Sequence, residues 1–177
     1  MGQIWTEENR FQVMLDVEVA ACQAMAKLGL IPKKSAQIIQ KKASFKLSEV
    51  HEFEQVTKHD VTALLKSVQK AVGPEGRFIH KGLTSSDVLD TALSLQIREG
   101  IDLLVAKKDE LIAILKTKAL KYKNIPMMGR SHGVHAEPVT WGLKMLLFFD
   151  AFRRSRVRLE AAREVISVGK ISGAVGT

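Results

Sequence analysis

The sequence predicts an all-α fold, and three observations carry that expectation. Apolar residues recur three and four positions apart through most of the chain, which places them on one face of a helix. No segment alternates apolar and polar residues long enough to read as a strand. The prolines, at positions 32, 74, 126 and 138, fall between the periodic runs, where they end helices instead of kinking them.

Thr6 is the expected N-cap of the first helix, with Glu7 and Glu8 in the first turn against its partial positive charge. Phe11, Met14, Leu15, Glu18, Ala21, Met25 and Leu28 keep helical spacing until Gly29 and Pro32 stop the run. Two shorter helices are expected next, one around residues 36–42 and one opened by Ser48 with Glu49 behind it. A fourth begins near His59 and Asp60 and carries Val61, Leu64, Leu65 and Val68 to Gly73. Residues 73–83 (GPEGRFIHKGL) read as a loop from their glycine and proline content. From Ser86 to about Lys123 there is no proline and only Gly100 among the glycines, while Val88, Ala92, Leu95, Ile101, Leu104, Leu111, Leu115 and Ala119 hold the period. That is a helix of roughly 38 residues, about 57 Å at 1.5 Å per residue. Helices so long belong to bundles, with faces wide enough for other helices or subunits. A second long helix is expected over residues 139–168, and GKISGAVGT closes the chain as an apparent internal connection. The expected organisation is an N-terminal helical domain, residues 1–83, followed by the first long helices of a central bundle, residues 84–177.

Composition narrows the function classes. No apolar run reaches the roughly 18 residues of a membrane span, and the acidic, polar start MGQIWTEENRF is not a secretory signal. Cys22 stands alone, so there is no disulfide framework, and a reducing compartment, the cytoplasm by default, fits. The net charge of +8 comes from dispersed lysines and arginines without interleaved aromatics. It reads as solvated helix faces and does not form a nucleic-acid platform.

Three segments concentrate chemistry: Lys58-His59-Asp60, residues 82–87 (GLTSSD), and residues 128–138 (MGRSHGVHAEP) with Arg130, His132, His135 and Glu137. Each lies at or beside an expected helix end, so they can meet at one level of a bundle. Thr84, Ser85 and Ser86 precede the longest helix, whose first N–H groups lack intrahelical partners and whose dipole favours an anion. Simple capping by Ser85 or Ser86, with Asp87 in the first turn, is the other reading, and the two are compatible. His80 sits in the glycine-rich loop with no residue pattern to assign it. His132 and His135 offer H-x-x-H, but no second metal-like pair accompanies them. A neutral imidazole near pH 7 suits acid–base work. The absence of a P-loop, a G-x-G-x-x-G turn and a G-x-S-x-G elbow argues against phosphoryl transfer, dinucleotide chemistry and serine hydrolysis.

Taken in order, KHDV at 58–61, HKGLTSSDVLDTAL at 80–93, MGRSHGVHAEP at 128–138 and GKISGAVGT at 169–177 resemble the bacterial-type adenylosuccinate lyase family of the fumarase/aspartase superfamily. TSSD and GRSH indicate only the superfamily; HGVHAEP and KISGAVGT narrow it. The resemblance implies a mostly helical, three-domain subunit in a homotetramer whose active sites are shared between subunits. It implies β-elimination of fumarate from adenylosuccinate to give AMP, and from succinyl-aminoimidazole-carboxamide ribotide, without a cofactor. By position, His132 matches the acid that protonates the departing nitrogen. His59 matches a histidine that orients the substrate, flanked by Lys58 and Asp60. Thr84 and Ser85 match residues holding a substrate carboxylate, and His80 a further active-site histidine. The family's later S-S-x-M-P-x-K-x-N loop with its serine base is not in these residues, nor is the Arg-Tyr pair expected before the first helix. The chain therefore resembles a fragment that is inactive alone. Alternatives are another lyase of the superfamily, carboxymuconate cycloisomerase, or a non-catalytic helical assembly module.

Overall fold

The computed structural model describes residues 1–176; Thr177, the last residue of the closing GKISGAVGT stretch, lies outside them. Six α-helices dominate: α1 (Glu7–Lys27), α2 (Lys33–Lys42), α3 (Leu47–Thr57), α4 (Asp60–Val72), α5 (Ser85–Lys121) and α6 (Trp141–Ile166). Short 3₁₀ turns occupy Gly2–Trp5 and Pro74–Phe78. Between α5 and α6 lie two strands, β1 (Pro126–Ser131) and β2 (Val134–Thr140). No described helix is long and apolar enough to cross a membrane. The chain divides into two compact units, Met1–Ile97 with the stretch from Ser167, and Arg98–Ile166, with α5 running from one into the other.

In the first unit the apolar stripes expected from the sequence close on one another. Phe11, Met14 and Leu15 of α1, Ile39 of α2, Val50 of α3, Val61, Leu64 and Val68 of α4, and Val88 and Ala92 of α5 form one buried cluster. Phe11 meets Phe45 edge to face, with ring centroids 6.1 Å apart. Burying a side chain of this size is worth about 1.5–3 kcal/mol relative to leaving it in water. Thr6 caps α1 as expected, its hydroxyl oxygen accepting from the Asn9 N–H at 3.3 Å. The buried Gln96 donates to the carbonyl of Ile4 at 2.6 Å and ties the start of the chain to α5.

The second unit is built differently. α6 and the distal part of α5 bury only Leu115, Ala119 and Met145 against each other, with Leu111, Phe149 and Phe152 half-buried around them. Arg156 pairs with Asp109 and Arg163 with Asp102 between the two helices. At the entry to α6, the Trp141 and Gly142 N–H groups donate to the carbonyls of Ile125 and Tyr122 at 2.8 and 2.9 Å. Gly142 is required there, since a Cβ would stand 2.5 Å from both the Ala119 carbonyl oxygen and the Lys123 Cα.

The fold class is as expected, with one correction. Residues 128–138, read as an irregular connection, belong to an antiparallel hairpin that pairs Pro126 with Thr140 and Ser131 with Val134. The register breaks between Met128 and Arg130, and a Cβ on Gly129 would lie 2.2 Å from the Glu137 carbonyl oxygen. The hairpin escaped the sequence because neither face is buried, so no apolar alternation marks it.

Candidate active site

The N-terminus of α5 organises the site in the first unit. The helix starts at Ser85, and the Asp87 N–H donates to the Thr84 carbonyl at 3.0 Å, so Thr84 takes the capping position. Asp87 reaches back to accept from the Thr84 N–H at 2.9 Å, half of a capping box. The same carboxylate accepts from the Ser172 N–H at 3.0 Å and the Gly173 N–H at 3.3 Å. Asp87 is thus buried yet satisfied, and these donors, Ser172 first and then Thr84, hold its carboxyl below the usual carboxylate range, with Lys170 adding to the effect. Lys170 Nζ lies 2.7 Å from Ser86 Oγ and 3.5 Å from Asp87 Oδ1. Its backbone N–H donates to Thr91 Oγ1 at 2.9 Å. The KISG stretch is therefore fastened to the helix end by both main chain and side chain.

With Thr84 and Asp87 serving as the cap, Ser85 is released for other work. Its Oγ lies 3.3 Å from His59 Nε2. His59 holds the N-cap position of α4 without a side-chain cap bond, which leaves its ring half-exposed. Its Nδ1 is 3.6 Å from Asp60 Oδ1, which also accepts from the Val61 N–H at 2.8 Å. The other Asp60 oxygen pairs with Arg10 of α1. Lys58 closes α3 in the left-handed region at φ 52°. The structure thus brings together two of the three sequence-marked segments, 58–60 and 84–85. The third belongs to the second unit: His132 and Gly133 form the two-residue hairpin turn, at φ 51° and 77°, the signs a type I′ turn demands. His132 and His135 are both exposed, and Arg130 donates to the Gly133 carbonyl at 3.4 Å.

His80, ambiguous in sequence, has a built environment. Its backbone N–H donates to Glu18 Oε2 at 2.9 Å, and its ring Nδ1 lies 2.6 Å from Glu18 Oε1. The Glu18 hydrogen bond holds the imidazole above its ordinary value; burial opposes this, and the charges of Glu18 and Asp87 add to it.

Lys58, His80 and His132 are the only described residues other than glycine with positive φ. Each lies in or beside a segment singled out for its chemistry. Left-handed backbone at a non-glycine residue is sparsely populated, persists only where surrounding structure imposes it, and clusters at functional sites.

Sequence reasoning missed Glu18, Lys170 and Arg10. Glu18 carried one signal, a carboxylate at a core position of an apolar stripe, and such a group is buried only with a partner. Among the described residues no group of three or more His, Cys, Asp or Glu side chains is placed to hold a metal ion.

Comparison with known proteins extends the picture. The model of the lyase family matches residues 1–177. The adenylosuccinate lyase of Bacillus subtilis is 47% identical over 177 residues, and that of Aquifex aeolicus 50% identical over 180 residues. All of this chain is covered in both cases, but the chain spans only 41% of the length of either relative. Among solved structures, a fumarate lyase from a Mesorhizobium species superposes with a TM-score of 0.93 at 30% identity. A 3-carboxy-cis,cis-muconate lactonizing enzyme from Pseudomonas putida gives 0.92 at 32%. Each covers 99% of this chain and 42% of the neighbour.

Proposed function

We propose that this chain, which belongs to the lyase family, is part of an adenylosuccinate lyase that eliminates fumarate from adenylosuccinate to leave AMP. The observation that carries the reading is the 47–50% identity to two adenylosuccinate lyases along the whole chain. Residues 1–83 form the N-terminal domain and residues 84–177 open the central bundle.

Elimination needs a base for the carbon-bound proton, an acid for the leaving nitrogen, and fixed positive charge for the carboxylate beside the developing carbanion. The C–N bond breaks with its electron pair going to nitrogen, and His132 supplies the proton that nitrogen takes up. His59, steadied by Asp60 and next to Ser85, orients the substrate. Thr84 and Ser85, with the unpaired amides of the α5 N-terminus, cradle a substrate carboxylate. Lys58 and His80 complete the cationic surroundings of the substrate's anionic groups. No cofactor enters this chemistry. The base comes from outside these residues, so this chain alone does not turn over. The same site cleaves succinyl-aminoimidazole-carboxamide ribotide, which places the enzyme in purine biosynthesis in the cytoplasm. Exposed Leu143, Leu146, Leu147 and Phe148 of α6 support a homotetramer whose neighbouring copies cover them.

Absorbance assays of the intact protein with adenylosuccinate, argininosuccinate and carboxymuconate test this reading. Turnover of adenylosuccinate alone is expected. Turnover of carboxymuconate instead would favour the cycloisomerase, a second reading that rests on the close superposition with the Pseudomonas putida enzyme. Fumarate release by the isolated 177-residue chain would overturn the assignment of the base to other residues.

A further inference from the structure

We propose that Glu18 is a positioning residue of this site: it keeps a proton on Nδ1 of His80 and aims the opposite ring nitrogen, as an N–H donor, at an anionic oxygen of the ligand. The inference rests on the placement of His80 in the substrate site. Its basis is a single face of α1. Glu18 and Cys22, one turn apart, both grip the loop that leads into α5. Glu18 is 1% exposed, and both its oxygens are taken by His80, one by the backbone N–H and one by the ring. Cys22 Sγ lies 3.6 Å from the Phe78 carbonyl oxygen. Burial, with the Glu18 charge beside it, pushes this thiol up to about 11, so it stays a neutral donor.

A carboxylate buried this deeply is costly unless it is paired. The backbone N–H satisfies only one of its two oxygens. The second oxygen instead fixes which ring nitrogen bears the proton, as an orienting carboxylate does for a catalytic imidazole. Nε2, on the far edge, has no hydrogen-bond partner among the described residues and is not sealed from solvent. The backbone of His80 sits at φ 64°, a geometry that the two-point contact with Glu18 holds in place. The charged groups acting on His80 are Glu18 from α1 and Asp87 from α5. The neighbouring Lys81 reaches away to the Leu30 carbonyl at 3.4 Å. Two carboxylates therefore favour the doubly protonated ring, which binds anions and cannot accept a proton.

The test is the titration of His80 in the intact protein carrying ¹⁵N-labelled histidine. In the wild type the midpoint is expected above the ordinary 6.5, with the Nδ1 proton kept on both sides of it. In Glu18→Gln the midpoint is expected to fall, and KM to rise about tenfold at pH 8 but much less at pH 6, where the ring protonates without help. Fumarate and inorganic phosphate, added separately, distinguish a carboxylate from a phosphate as the group that moves the Nε2 signal. A wild-type midpoint at or below 6.5 overturns the proposal whether or not the variant folds. So does a pH-independent loss in Glu18→Gln, or a signal that neither anion moves. The titration requires no turnover, so the Glu18–His80 pair can stand if the lyase reading fails, and fall if it holds.

Discussion

The two units solve the same problem, burying the stripe of an amphipathic helix, to different degrees. The first surrounds α1 with α2, α3, α4 and the start of α5, and side chains such as Met14, Ile39, Val50 and Val68 lose all contact with water. The second has two long helices and a hairpin, and its most buried apolar side chains still keep 8–9% of their surface. Leu147, on α6, keeps 62%. The contrast extends to the candidate site side chains. His59, His80 and Ser85 are held by named partners within their own unit. His132 is held by backbone geometry alone, with no side-chain hydrogen bond among the described residues. A closed core can fix side chains through contacts between its helices; an open pair of helices leaves a side chain such as His132 placed by its own turn alone.

The strongest way to break this contrast is to make the same deletion in both units. Leu64→Ala in the closed core is expected to cost about 2–5 kcal/mol in urea unfolding. Leu147→Ala on the exposed face of α6 should stay within about 0.5 kcal/mol in the isolated chain. Equal losses would show that the second unit is packed after all. A larger loss for Leu147→Ala in the assembled protein would sharpen the picture, by showing that a neighbouring copy covers it.

His132→Asn comes next. Asparagine tolerates the left-handed turn but cannot donate a proton as an acid, so turnover of the intact protein should fall by about 10² or more while its melting temperature stays put. Near-normal turnover would remove His132 from the acid role. Gly142→Ala should cost about 1–3 kcal/mol, because its new methyl group meets backbone atoms that cannot rotate away. A variant as stable as the wild type in thermal unfolding would mean that α5 and α6 are free to separate there.

The smallest effect is one of pH. Asp87 has its carboxyl held below the ordinary value of 3.8, so its contribution to stability is complete above that value and is lost as pH falls through the lowered one. Asp87→Asn should therefore flatten the acid limb of the stability curve below about pH 4. An acid limb identical to the wild type would detach Asp87 from the 172–173 stretch. His80 runs the other way: its raised value means a contribution complete below about 6.5 and lost as pH rises through the folded value.

Much of the helical framework was legible in the residues. Thr6, Gly29, Pro32 and Gly73 bound helices where capping and chain-breaking chemistry says they must. The long helix begins at Ser85, one residue before its expected start, because Asp87 caps backward onto Thr84. What stayed hidden was contact across long sequence separation. Glu18 looked like one more core position, and its partner lies 62 residues away. Lys170 gave no sign of its reach to Ser86, 84 residues back. The hairpin was invisible for a different reason, since a ladder wet on both sides leaves no imprint on hydropathy.

Lys58, His80 and His132 also bear on how this protein would respond to selection. All three occupy a backbone region where glycine is free of steric penalty and asparagine nearly so. A library sorted only for heat resistance should therefore drift toward those two residues at 58, 80 and 132, trading a cation or an imidazole for a relaxed main chain. A library sorted for turnover should hold the originals against that pull. The three positions would then act as a ledger of which pressure a population had experienced, readable without assaying a single variant.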